Sequence, residues 1–272
     1  MTNRTRLITG VSRARLAFED MADGITMYPV WAALGWQDIR QRYQRSVLGP
    51  FWITLTMMAT IAGMGPLYAA LLRFDARDFI PYLALGLIVW GLISNVILEG
   101  CVAFTGADNM IRSVRLPMTM HALRMIFRNV LIFFHNVLAF APFAIYLGLA
   151  PSWLWLMAFP GLLLIVVAAL PVALILGIFC ARFRDMQQIV ASVVQLAFFL
   201  TPIIWKPELL GSRIAFANYN PLFLFLELVR GPVYGYLPGA NVYIGVGIII
   251  VALYAVAIPL FIRFRQRIAF WV

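Results

Sequence analysis

Charged residues are scarce in this sequence: they make up 12% of its 272 residues, against about 25% in an ordinary soluble domain. Hydrophobic residues make up 63%, and the mean hydropathy is +0.91. A chain of this composition cannot bury its apolar surface in one globular core. It therefore needs lipid as part of its solvent.

Several reactive residue types are nearly absent. Lys206 is the only lysine and is followed by proline, so no phosphate-binding loop of the Walker A kind exists. The sequence has no G-x-S-x-G or H-E-x-x-H motif, and it contains only two histidines and two cysteines. We therefore predict no catalytic residue, no metal site and no cofactor bound by this chain.

The positive charge points to membrane topology. The formal net charge is +10, but the arginines lie at the ends of apolar segments instead of forming one basic surface. This placement is typical of a polytopic membrane protein, and it argues against nucleic-acid binding.

Six apolar segments are long enough to cross a membrane as helices, and they predict an all-α polytopic integral membrane protein. We predict spans over residues 51–72, 79–100, 125–149, 153–180, 187–205 and 242–262.

The distribution of cations sets the expected orientation. If the N-terminus lies inside, sixteen of the 21 Lys and Arg residues lie on cytoplasmic stretches and five lie outside. This bias predicts cytoplasmic N- and C-termini in a bacterial inner membrane.

The region before the first span is predicted not to cross the membrane. Trp36, Ile39, Tyr43 and Val47 recur at steps of three and four residues, which places them on one stripe of a helix. We predict an amphipathic helix lying in the membrane interface. Residues 1–29 are predicted to form a cytoplasmic extension ahead of a transmembrane domain over residues 30–272.

The stretch between the fifth and sixth segments is rich in proline. Its two apolar runs, residues 214–217 and 222–229, are too short to span. They predict a re-entrant or interfacial helical hairpin on the outer side.

Polar side chains within the segments have two interpretations. Asn95 and Glu99 lie in the second segment, with Arg124 and Arg128 at the start of the third. They could form a proton relay or polar pathway. We favour the alternative, in which Glu99 pairs with Arg128 or Arg124, because most of these residues lie near segment ends.

Aromatic residues make up 14% of the chain. Most such side chains serve lipid contact or core packing. The sharper hypothesis is a track on which sugar rings stack, and its candidate residues are Phe51, Trp52, Trp90, Phe198, Phe199, Tyr219, Phe223 and Phe225.

Several motifs, taken in order over roughly residues 30–265, resemble one known family. DIRQRYQRSVLGPFW at residues 38–52, DNMIRSVRLP at 108–117, TPIIW at 201–205 and NPLF at 220–223 carry the resemblance. Together they are similar to the membrane subunit of ABC-2 type polysaccharide and polyol-phosphate exporters, which include O-antigen exporters.

The resemblance implies a homodimer of this chain with two copies of a separate ATPase, which binds the ATP and Mg. It also implies an undecaprenyl-linked glycan as substrate and Glu227 with Arg230 as an outer gate pair. Arg40, Arg42, Tyr43 and Arg45 of the interface helix would meet lipid headgroups, and Arg42 and Arg45 could receive the pyrophosphate. ATPase coupling would fall to residues of one short helix, with Asp108 capping it: Asp108, Asn109, Met110, Ile111, Arg112, Val114 and Arg115.

Three other functions remain open from the sequence. A drug or small-lipid exporter of the same ABC-2 class is the nearest. A membrane-embedded sugar acyltransferase would need a His–acid pair, but His121 has no carboxylate within one turn on either side. An ion-coupled carrier of the inverted-repeat kind is disfavoured because no internal repeat is visible.

Overall fold

The computed structural model describes residues 12–42, 44 and 46–272. Within them the chain forms eleven α-helices joined by turns and short 3-10 segments. The helices are α1 (Arg13–Thr26), α2 (Tyr28–Arg42), α3 (Phe51–Leu72), α4 (Ala76–Cys101), α5 (Asp108–Ser113), α6 (Met118–Tyr146), α7 (Ala158–Arg182), α8 (Met186–Leu200), α9 (Ala215–Asn218), α10 (Pro221–Tyr234) and α11 (Ala240–Trp271).

Five helices of the described chain are long and apolar enough to cross a membrane: α3, α4, α6, α7 with its preceding 3-10 turn, and α11. The fifth predicted span, residues 187–205, is shorter than expected. Its helix α8 has 15 residues, about 22 Å, against a hydrocarbon core of roughly 30 Å. Thr201 is extended (φ −92°, ψ 136°), because the residue before Pro202 is disfavoured in the helical conformation. The prediction that residues 201–205 continue this helix is therefore wrong.

Helix α4 forms the centre of the bundle. Of its most apolar window 83% is buried, whereas the corresponding share is 17% in both α3 and α11. Helices α3, α6, α7, α8 and α10 pack around α4. The outer helices α3, α8 and α11 consequently present most of their apolar surface away from the chain.

The bundle has two ends with different chemistry. The basic end carries α1, α2, α5, the C-terminal end of α4 and the N-terminal end of α6. The loop end carries the start of α4, residues 201–213 and the end of α10.

Helix α1, which falls in the predicted extension, is part of the packed structure. The buried Asp20 carboxylate accepts hydrogen bonds from the main-chain N–H groups of Met118 and Thr119, both at 3.0 Å, and from Arg265 Nε at 2.7 Å. Pro117, at the N-cap of α6, supplies no side-chain cap. Asp20 therefore caps α6 from another helix, and α6 starts seven residues before the predicted span.

The predicted stripe on the interface helix is partly wrong. Helix α2 ends at Arg42, so Val47 lies beyond it and is fully exposed, and Trp36 is 48% exposed. The buried face holds Gly35 and Ile39. A Cβ at Gly35 would lie 2.9 Å from the Phe127 ring, so glycine lets α2 approach α6 closely. Tyr43 lies outside the described residues.

The proline-rich stretch folds into short helices, as its two apolar runs predict. A 3-10 segment (Pro207–Arg213) and α9 lead into α10, whose residues 223–232 are all buried. Helix α10 packs between α4, α7 and α11. A Cβ at Gly161 of α7 would lie 2.3 Å from the Leu228 carbonyl oxygen, so α7 and α10 touch along their backbones.

Candidate coupling and gating sites

An ion-pair network joins α2 to α6 at the basic end. Asp38 of α2 accepts hydrogen bonds from Arg124 Nε at 2.8 Å and from Arg128 Nη1 at 2.8 Å. Arg124 Nη2 donates to the second Asp38 oxygen, which makes this pair bidentate. Bidentate Arg–carboxylate pairs fix orientation as well as distance. The two helices are therefore held in one register.

The same network reaches the central helix. Arg128 Nη2 donates to Glu99 Oε2 of α4 at 2.7 Å, and Asn129 Nδ2 donates to the same oxygen at 2.6 Å. Of the two predicted partners of Glu99, Arg128 is confirmed, whereas Arg124 binds Asp38 instead. Arg42 Nη2 lies 3.8 Å from the other Glu99 oxygen, a long and loosely held pair.

The charged side chains of this network are largely buried. The side chains of Asp38, Glu99 and Arg128 are 12%, 19% and 24% exposed. Losing one partner would leave a poorly hydrated charge, which costs several times more than breaking a surface pair. The network therefore forms a partly buried joint between α2, α4 and α6.

The predicted coupling segment follows this joint directly along the chain. Helix α5 lies between α4 and α6, and its Met110 and Ile111 are half-buried. Arg112 donates to the main-chain oxygen of Val272 at the end of α11. Asn109 and Arg115 are exposed. One side of the segment thus packs against the bundle and α11, and its other side is exposed.

Two details of the predicted coupling helix are wrong. Asp108 is the first helical residue and not its cap: within the described chain its carboxylate accepts one hydrogen bond, from the next N–H, that of Asn109, at 2.7 Å. Val114 follows the helix in an extended conformation (φ −131°, ψ 133°) and is 51% exposed. It therefore does not share the apolar face of Met110 and Ile111, because a helix of six residues ends before it.

A second polar cluster lies at the loop end. Arg230 of α10 donates through Nε to Glu227 Oε1 at 2.7 Å and through Nη1 to the Pro202 carbonyl at 2.7 Å. Its guanidinium lies 4.0 Å from the centre of the Tyr82 ring. The side chains of Arg230 and Glu227 are 1% and 8% exposed. The predicted gate pair is in contact, but it is buried and both members belong to α10.

The rest of the cluster ties α10 to the start of α4. Lys206 pairs with Asp78, and the Tyr234 hydroxyl donates to the same carboxylate. Burial raises the pKa of the Tyr234 phenol, and the adjacent Asp78 carboxylate reinforces the shift. Tyr82 Oη lies 3.1 Å from the carbonyl oxygens of Pro202 and Trp205. Residues 202–206 are thereby fixed between α4 and α10.

The eight predicted path aromatics do not form one track within a single chain. Trp90 packs on Phe198 with ring centroids 5.7 Å apart. Phe223 and Phe225 are both 7% exposed and lie inside the packing of α10. The remaining four are exposed, and they are Phe51, Trp52, Phe199 and Tyr219.

The interface arginines have different surroundings. Arg40 is exposed on α2, and Arg42 faces Glu99 across the gap described above. Arg45 lies outside the described residues.

Comparison with known families decides the class of this bundle. Residues 29–234, which run from α2 to the end of α10, match the family of ABC-2 type transporters. The chain belongs to the ABC-2 type transporter family. It is therefore a multi-pass membrane subunit of a transporter and not an enzyme, and an ABC-2 subunit works with an ATPase partner.

Three curated relatives carry the name O-antigen export system permease protein RfbA. The protein from Myxococcus xanthus is 24% identical over 242 residues, which cover 86% of this chain and 91% of the relative. Two proteins from Klebsiella pneumoniae are 21% and 22% identical over 188 residues, which cover 68% of this chain and 73% of each relative.

Two carboxylates at the basic end, Asp38 and Asp20, were not predicted as ion-pair partners. Asp38 appeared in the sequence only as the first residue of the motif at 38–52, and Asp20 lies in the predicted extension. Both are among only 11 acidic residues in a chain with 21 basic ones. Because arginines outnumber carboxylates, each carboxylate is expected to find a cation, as Asp38 does with Arg124 and Arg128 and Asp20 does with Arg265.

Proposed function

We propose that this chain is the membrane subunit of an ATP-driven exporter that moves a lipid-linked polysaccharide, of the O-antigen class, across the bacterial inner membrane. It works as a homodimer with two copies of an ATPase that binds ATP and Mg. Its N- and C-termini lie in the cytoplasm, which the arginine distribution supports. The names of three relatives support the polysaccharide substrate over a drug or small lipid.

In this proposal the basic end receives the work of ATP hydrolysis. The exposed Asn109 of α5, the exposed Arg115 that follows this helix and the exposed Arg40 of α2 form the surface offered to the ATPase. A displacement of α2 acts through Asp38 on Arg124 and Arg128. From there it reaches Glu99 of the central helix.

The single observation that carries the coupling argument is this joint. Because α4 and α6 share ion pairs with α2, a push on the surface helix cannot be absorbed locally. It must tilt or rotate the helices that border any passage through the dimer.

The test uses the chain co-expressed with its ATPase and reconstituted in proteoliposomes. Asp38→Asn keeps the side-chain shape but removes the charge that binds Arg124 and Arg128. We expect ATP hydrolysis to persist while transfer of lipid-linked glycan falls about tenfold or more. The matched control is Asp23→Asn on the exposed face of α1, which should transport normally.

Two results would contradict the proposal. Uphill glycan transfer by the chain reconstituted without any ATPase would show that transport does not need an ATPase partner. If hydrolysis and transfer remain as tightly linked in the Asp38→Asn complex as in the unsubstituted complex, the Asp38 ion pairs do not couple the ATPase to transport.

A further inference from the structure

A polar groove of about 600 Å³ lies between α3, α4 and α6. This volume falls in the range of about 300–1,000 Å³ that is typical of small-ligand sites. Its wall mixes a cation, the Glu99 carboxylate, an indole, hydroxyls and amides. Besides Glu99, its polar and aromatic residues are Arg42, Trp52, Thr56, Thr60, Asn95 and Asn136.

The two amides in the wall lack partners. Asn136 is 6% exposed, and neither its carboxamide nor that of Asn95 makes a hydrogen bond to any side chain or main-chain group in the described part of the chain. Both residues line the groove, so their carboxamides are available to a ligand inside it. Both amides can donate and accept, so they fit a ligand rich in hydroxyl groups.

The hydroxyls add acceptors along one side. Thr56 Oγ1 donates to the Trp52 carbonyl at 2.7 Å, and Thr60 Oγ1 donates to the Thr56 carbonyl at 2.8 Å. Each proton is thus committed to the helix, and each oxygen keeps lone pairs that face outward. These oxygens can accept hydrogen bonds from a sugar hydroxyl.

The mouth of the groove is charged and aromatic. The Arg42 side chain is 56% exposed and holds Glu99 only at 3.8 Å, whereas the other Glu99 oxygen is firmly bound by Arg128 and Asn129. Arg42 can therefore turn to a stronger anion without leaving Glu99 unpaired. Trp52 is 46% exposed and offers a flat face beside this cation.

The order of groups along the groove suggests how a ligand lies in it. Trp52 and Thr60 are eight residues apart, about 12 Å along α3. A phosphate at Arg42 would thus sit at the basic end, with a sugar ring against Trp52 and its hydroxyls directed at the deeper amides.

We propose that this groove binds the phosphorylated, sugar-bearing head of the lipid-linked substrate: Arg42 holds the phosphate, and Trp52, Asn95 and Asn136 hold the first sugar. The inference rests on the proposed function and assigns recognition to the sugar next to the lipid carrier. A phospholipid headgroup shares the phosphate but lacks the ring, so the amides distinguish the two.

The test measures binding to the complex of this chain with its ATPase in nanodiscs. The probes are farnesyl pyrophosphate bearing one hexose, farnesyl pyrophosphate alone, and phosphatidylglycerol. Asn136→Leu and, independently, Asn95→Leu should weaken the hexose-bearing probe about tenfold and leave farnesyl pyrophosphate within about threefold. Arg42→Gln should weaken both pyrophosphate probes. Asn218→Leu, an exposed amide on α9, is the matched control and should change nothing.

The outcomes separate the two claims. Unchanged binding of the hexose-bearing probe in both Asn variants, with assembly of the complex intact, overturns the groove and leaves the proposed function standing. Binding of phosphatidylglycerol with the same dependence on Asn136 also overturns it. A complex that neither binds nor transfers any lipid-linked glycan overturns the groove and the proposed function together.

Discussion

The buried pair at the loop end yields the sharpest prediction on stability. Replacing Arg230 by methionine removes three donated hydrogen bonds, two to Glu227 and one to the Pro202 carbonyl, and the contact with the Tyr82 ring. Glu227 then remains as a nearly buried carboxylate whose remaining described partner is the Tyr236 hydroxyl. Removing one partner of such a pair costs about 3–5 kcal/mol.

Removing both charges should be far less harmful. In the double variant Glu227→Gln, Arg230→Met, the amide oxygen still accepts from Tyr236, and Tyr82 Oη still lies 3.1 Å from the Pro202 carbonyl oxygen. No unpaired charge remains, so we expect most of the lost free energy of unfolding to return. Coupling between the two substitutions should thus reach several kcal/mol.

The measurement is unfolding by SDS titration in mixed micelles for both single variants, the double variant and a control. Arg213→Met, an exposed arginine of the same hairpin, should change the free energy of unfolding by less than about 0.5 kcal/mol. Additive costs in the double variant would refute the argument, because they would mean that the pair does not act as a unit. Normal transport by a stable double variant would identify the pair as structural.

Three further predictions follow from other contacts. Asp20→Ala should destabilise the protein by about 3–5 kcal/mol because it uncaps α6 and strands a cation, whereas Asp23→Ala on the same helix should be near neutral in the same titration. Gly161→Ala should cost about 1–3 kcal/mol because α7 and α10 must separate, while Gly63→Ala, with open space around it, should not destabilise. The raised pKa of Tyr234 means that the unfolded chain releases a proton the folded chain keeps, so stability should fall as pH rises above about 10, and Tyr234→Phe should flatten that slope.

The bundle itself was predictable from the sequence because its signal is long-range and repetitive. Twenty or so apolar residues in a row can hardly be anything other than a spanning helix, and the segments at α3, α4 and α7 were placed within a few residues. The short α8 was misjudged because hydropathy continues through Pro202, where the backbone geometry ends the helix. Composition reports where apolar residues are, and it does not report where the helical hydrogen bonding stops.

The contacts between distant residues were harder to predict. Glu99 and Arg128 were paired correctly because both lie at the same depth of adjacent segments. Asp20 and Arg265 are 245 residues apart, and no local pattern relates them. The face of α2 was misassigned because one glycine, Gly35, decides which side approaches α6. Such a choice depends on the neighbouring helix and cannot be derived from periodicity.

The central helix has a consequence for how the two ends respond to each other. Glu99 at one end of α4 and Asp78 at the other belong to separate clusters, about 32 Å apart along one continuous helix. If α4 turns as a rigid rod, the two clusters share one equilibrium, and thermodynamic linkage then requires reciprocity. An antibody fragment or sugar that binds the loop end should alter the affinity for nucleotide on the far side of the membrane. Nucleotide should alter the affinity for that loop-end ligand by the same factor.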